Sequence, residues 1–97
     1  MEAKLNIYAD CSSEKPTKTY TCRRLILKVS KKIGALLETM QGKNEAEQER
    51  ITIDVIKTIF PDFKDEEFEA IDPQEWLAFV NEITRETNSI LENAQKN

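Results

Sequence analysis

Apolar and polar residues alternate at the start of the chain. Leu5, Ile7 and Ala9 are interleaved with Lys4, Asn6 and Tyr8, the period-two pattern of a short strand with one buried face. Asp10 to Thr17 holds Ser12, Ser13 and Pro16 and reads as a loop. Lys18 to Cys22, with Thr19, Tyr20 and Thr21, is rich in β-formers and reads as the returning strand. Residues 1–22 thus form a β-hairpin region. A two-stranded hairpin is marginal alone, so it must pack on helices or pair with another chain.

The period then changes. Leu25, Val29, Ile33, Leu36, Leu37 and Met40 recur at three- and four-residue spacing and predict a helix over 23–41, with Gly42 as its stop. Gly34 inside this helix costs up to ~1 kcal/mol relative to alanine; either another helix approaches closely there or the glycine is simply tolerated. Asn44 with Glu47 forms a capping-box pattern ahead of a second helix, 45–60, with the stripe Ile51, Val55, Ile56 and Ile59. Pro61 ends it, because the residue before proline disfavours helical geometry. Phe60-Pro61-Asp62-Phe63 is a tight connector, and 65–71 reads as a short helix or turn. Asp72 can cap, Pro73 suits the first helical position and Glu75 can bond back to the cap. The C-terminal helix should run over 73–93 through Trp76, Phe79, Val80, Ile83, Thr87, Ile90 and Leu91, leaving Ala94-Gln95-Lys96-Asn97 frayed. The fold class is therefore α+β and mostly helical: a short N-terminal β-hairpin followed by three to four helices in a single domain, 1–97.

With 97 residues, the chain fits one modest core, and a flat or grooved binding surface suits it better than a deep catalytic cleft. Histidine is absent, which removes the usual general base near neutral pH and the hydrolase arrangements that depend on it. No enzyme, metal or other cofactor is expected, since two cysteines without histidine fall short of the four ligands zinc usually takes. No apolar run approaches the ~18 residues of a membrane span, and the first residues do not read as a signal peptide. A cytoplasmic location follows as the expectation. In that reducing compartment Cys11 and Cys22 are two free thiols by default, with a disulfide clamping the hairpin as the sharper alternative.

Charge is unevenly distributed. Residues 1–43 carry nine Lys/Arg against four Asp/Glu (+5), and residues 44–97 carry five against fourteen (−9). Arg23, Arg24, Lys28, Lys31 and Lys32 are the one basic cluster. No aromatic interleaving accompanies it, so nucleic-acid binding is disfavoured against a face that neutralises acidic surface, its own or a neighbouring subunit's. All four phenylalanines and the tryptophan fall between Phe60 and Phe79. Such a cluster in a small domain is ordinarily core; the functional alternative is a groove for a partner helix.

The run Val55-Ile56-Lys57-Thr58-Ile59-Phe60-Pro61-Asp62-Phe63, followed by Ile71-Asp72-Pro73-Gln74-Glu75-Trp76, resembles the tail assembly chaperones of long-tailed (siphovirus-type) phages of Gram-positive bacteria. The likeness spans nearly the whole chain: strand pair, central helices, the I-F-P-x-F turn and the D-P-x-x-W helix. It implies a factor of the host cytoplasm, absent from the mature virion, that coats the tape measure protein and helps recruit the tail tube protein. It also implies a homo-oligomer, with no membrane and no nucleic-acid partner. On this resemblance Phe60, Phe63, Phe68, Trp76 and Phe79 supply the partner-binding face, and Arg23, Arg24, Lys28, Lys31 and Lys32 the self-association surface. Many members of this class make a longer second product by ribosomal frameshifting; Gln95-Lys96-Asn97 can be encoded as CAA AAA AAC, which contains a slippery heptamer. The alternative is a phage head–tail connector or a small adaptor that binds a host or virion protein.

Overall fold

The computed structural model describes residues 1–96 in backbone and 1–93 in side chains. The alternation at the N-terminus becomes strand β1, Ala3–Ile7, paired antiparallel with β2, Lys18–Cys22. The register sets Leu5 opposite Tyr20 and Ala3 opposite Cys22. Ala3, Leu5, Ile7, Tyr20 and Cys22 all face inward, while Ala9, expected on the buried face, lies exposed beyond the end of the strand. Both cysteines are free, Cys11 exposed in the hairpin loop and Cys22 buried at the far end of β2. The hairpin supplies one apolar face, and the helices close over it.

Three helices follow: α1 (Leu27–Glu38), α2 (Glu45–Ile59) and α3 (Pro73–Lys96), with a 3-10 turn at Asp65–Ala70 between the last two. Among the described residues no helix is long and apolar enough to cross a membrane. The Asn44 capping box forms in full; at Asp72 only the cap itself forms, because the Glu75 carboxylate accepts from Tyr8 and Asn6 of the hairpin instead of bonding back. Asn44 accepts the Glu47 amide at 2.9 Å while Glu47 accepts the Asn44 amide at 3.3 Å. Asp72 accepts the Gln74 amide at 2.8 Å at the start of α3. Phe60 is extended ahead of Pro61 and ends α2.

α1 is shorter than its apolar spacing predicts. Residues 23–26 are an extended connector, with Ile26 at φ −82° and ψ 156°, because the chain must travel from the end of β2 to the helix layer. Leu25 still packs against the core from this connector, so its spacing to Val29 is not a helical repeat. At the other end Thr39 closes the helix by donating its hydroxyl to the Leu36 carbonyl at 2.6 Å. Gly42 then makes the turn at φ 79°, a left-handed conformation that favours glycine. α3 in turn continues to Lys96, past the expected end at 93; of the tail expected to fray, Asn97 lies outside the described residues.

The core centres on aromatic rings. Tyr20 of β2 packs against Phe60 at 5.2 Å and Phe63 at 5.6 Å, and Phe60 meets Phe79 at 5.9 Å. Leu5, Ile33 and Ile56 join the same core with no exposed surface. Polar contacts lock the hairpin to α3 and to the 3-10 turn. The Tyr8 hydroxyl donates to Glu75 at 2.8 Å, and Asn6 Nδ2 donates to the same carboxylate at 3.0 Å. The Tyr8 amide donates to the Ala70 carbonyl at 2.9 Å. The Tyr20 hydroxyl donates to Glu67 at 2.6 Å. Burial raises the Glu67 carboxyl, but the Tyr20 and Lys64 hydrogen bonds with the nearby Lys18 outweigh it and hold the group below its ordinary value. Burial, then the Glu67 bond, push the Tyr20 phenol up.

Gly34 has a structural use. A Cβ there would sit 3.2 Å from Leu91 Cδ1, so the missing side chain lets α3 pass close to α1. Ser30 and Gly34 share one face of α1, and Thr87 and Leu91 share one face of α3. That seam buries the hydroxyls of Ser30 and Thr87, 0% and 2% exposed, neither with a hydrogen-bond partner among the described residues.

Candidate functional site

Where the three helices meet, they leave a small apolar cleft of about 80 Å³. α1 and the residues after it contribute Ile33, Leu37 and Met40. α2 contributes Thr52, Val55 and Ile56, and α3 contributes Trp76, Phe79, Val80, Ile83 and Thr84. Ile33, Ile56, Phe79 and Ile83 are its buried floor; Met40, Val55, Trp76 and Val80 are half-buried walls. Leu37 at the lip is 38% exposed. Leu77, 61% exposed, stands one turn before Val80 on α3, outside the cleft lining.

The chemistry of the cleft is simple. Among the described residues no charged side chain lines it. Its hydroxyls come from Thr52 and Thr84, and Thr52 is already committed to the Gln48 carbonyl at 2.8 Å. The volume is roughly half the ~150 Å³ of an engineered cavity that takes benzene. The cleft therefore fits the branched end of an aliphatic side chain rather than a ring. Seating one such side chain is worth ~1.5–3 kcal/mol at full burial, a weak anchor on its own.

Of the five aromatics expected to form a partner-binding face, Phe60, Phe63 and Phe79 are buried in the core and do not present themselves to a partner. The reason is the hairpin: its inward face, centred on Tyr20, needs rings to cover it; Phe60 and Phe63 do so, and Phe79 packs behind Phe60. Phe79 reaches the cleft only as floor. Phe68 and Trp76 remain half-buried, edge to face at 5.6 Å, and Trp76 alone of the five forms a cleft wall.

No model of a protein family, no curated protein and no solved structure matches the chain. The site is accordingly described by its own residues. Leu37, Met40, Val55 and Val80 carry as much of it as Trp76 does, yet in sequence they read only as parts of helical stripes.

The basic run holds together better. Arg23 and Arg24 lie in the connector that leads into α1, and Lys28, Lys31 and Lys32 share one face of that helix. All five are exposed. Arg23 meets Glu2 at 3.4 Å, whereas the other four form no ion pair among the described residues. Among the described residues no group of three or more potential ligands could hold a metal ion.

Proposed function

We propose that this chain is a helix-binding assembly factor, not an enzyme, and specifically a tail assembly chaperone that holds the tape measure protein in the host cytoplasm and helps recruit tail tube subunits. The observation that carries the binding reading is the cleft at the three-helix junction, lined by no charged side chain among the described residues, with Leu37 exposed at its lip. An amphipathic client helix offers what this cleft accepts, an aliphatic side chain repeated at three- and four-residue spacing. The assignment of the client rests on the likeness of the Ile59-Phe60-Pro61-Asp62-Phe63 and Asp72-Pro73-Gln74-Glu75-Trp76 segments to the chaperone family.

The weakness of a single anchor fits this role. One side chain per copy gives little affinity, but many copies along a long client raise it through effective concentration and release it once copies leave. Self-association through Arg23, Arg24, Lys28, Lys31 and Lys32 belongs to the same proposal.

Co-expression with the tape measure protein encoded beside this chain, followed by size-exclusion chromatography with light scattering, tests it. The expected result is a soluble complex with many copies per client. Leu37→Asp places a charge on the lip at an exposed position, so it should abolish the complex while leaving the circular dichroism spectrum unchanged. A client that stays insoluble with the wild-type chain eluting alone, or a Leu37→Asp chain that binds as before, would overturn the reading. In the first case the connector or adaptor reading gains, and mass spectrometry of purified virions decides it, since a connector persists there.

A further inference from the structure

The hairpin holds two unlike surfaces apart. Each strand has five residues, so the hairpin loop at one end and the 23–26 connector at the other are separated by about 17 Å of strand. At the loop end, the segments around Asp10 and Ile71 enclose a cleft of about 600 Å³. Asp10, Glu14, Glu66, Glu69 and Asp72 line it, and among the described residues no Lys or Arg does. Its remaining wall is apolar in part, from Ala9, Ala70, Ile71 and Pro73.

The opposite end is the complement. Ile26 and Leu27 are 55% and 43% exposed, an apolar pair standing in solvent. Arg24 precedes them, and Lys28, Lys31 and Lys32 follow, none with an ion-pair partner among the described residues. Several other bases are matched locally, Arg50 and Lys57 on Asp65, Arg85 on Glu82 and Lys18 on Glu67, while Lys15, Lys43 and Lys64 stand as single unpaired bases among the described residues rather than as a cluster. The pairing of apolar side chains with flanking charge is thus the same on both surfaces, with the sign reversed.

We propose that the Arg24–Lys32 end of one copy docks into the acidic cleft of the next copy. Ile26 and Leu27 seat against Ala70, Ile71 and Pro73, while Arg24 and Lys28 meet Glu66 and Glu69. A copy cannot satisfy its own two surfaces, because the hairpin keeps them at opposite ends. The contact is therefore head-to-tail, and each added copy presents one free surface of each kind, so assembly continues into a ring or a filament. This rests on the self-association part of the proposed function, to which it adds the partner surface; it does not depend on the client cleft.

Sedimentation of the chain alone at low ionic strength tests it, with two variants made only at exposed positions. Wild type should form a series of oligomers whose mean mass falls as salt is added. Arg24→Glu with Lys28→Glu, and separately Glu66→Lys with Glu69→Lys, should each sediment as monomers with unchanged circular dichroism. Mixed in equal amounts, the two should assemble again, because every junction then opposes unlike charges. A wild-type chain that stays monomeric, either variant assembling alone as wild type does, or a mixture that stays monomeric would overturn the proposal. No client is present, so a failure of client binding leaves these outcomes unaffected.

Discussion

Thr87→Val isolates the energetic weak point of the α1–α3 seam. Valine has nearly the same shape as threonine and nearly the same helix propensity, so the substitution removes one hydroxyl and little else. On α2 both threonine hydroxyls are satisfied: Thr52 donates to the Gln48 carbonyl and Thr58 to the Asp54 carbonyl, each at 2.8 Å. Thr87 is 2% exposed and makes no such bond. An unsatisfied buried hydroxyl costs ~1–3 kcal/mol, and the low end applies here because rotation can bring a hydroxyl part-way to the carbonyl one turn earlier. Thr87→Val should therefore stabilise the fold by about 1 kcal/mol. In a domain of this size that raises the melting temperature by about 4–8 °C. Urea unfolding is the assay, and the midpoint should rise with the slope unchanged. Ser30→Ala should stabilise in the same direction, and the two effects should add. Destabilisation by each single change, with the double variant near wild type, would mean that Ser30 and Thr87 bond each other, and the reasoning would fail.

Gly34→Ala gains up to ~1 kcal/mol of helix propensity and meets only the flexible end of Leu91 at 3.2 Å; it should stabilise slightly, and a fall in the urea midpoint would show that Leu91 cannot yield. The Asp65 carboxyl is held down to about 2, first by the Arg50 hydrogen bond and then by Lys57, whereas an unfolded aspartate titrates near ~3.9. Its stabilising contribution is present above the unfolded value and is lost as the pH falls towards the folded one. Asp65→Asn should therefore flatten the decline in urea midpoint between pH 5 and pH 2, and a decline as steep as wild type's would refute this. The Glu75 hydrogen bond is the main cause that raises the Tyr8 phenol above its ordinary value, with burial next. Glu75→Gln should lower the Tyr8 titration midpoint measured by ring NMR; an unchanged midpoint would assign the shift to burial alone.

What could be read from the sequence was what is settled within a few residues. The Asn44–Glu47 box and the Asp72-Pro73 start act through side chains on the adjacent backbone, so they hold whatever packs around them. The start of α1 was not readable in this way. Leu25 and Val29 are four apart and both touch the core, yet one does so from an extended connector and the other from a helix. Periodicity records which residues are apolar on one side; it does not record whether the backbone between them is coiled.

The same limit decides how much of the surface could be read. The aromatic cluster was visible, but whether Phe60 and Phe63 faced a partner or the hairpin depended on Tyr20, forty residues before Phe60, which brings the inward face of β2 onto them, with Phe79 packed behind Phe60. Once the hairpin takes those rings, the apolar surface left at the three-helix junction is what the helices cannot close among themselves: Leu37, Met40, Val55, Trp76 and Val80. Charge behaves differently. The excess of bases before residue 44 and of acids after it is a property of composition, but its geometry comes from the two short strands. They carry the basic connector to one end of the hairpin and leave the acidic cleft at the other. In the proposed assembly, hairpin length therefore links fold to contact: it sets the distance between the two surfaces that a second copy would join.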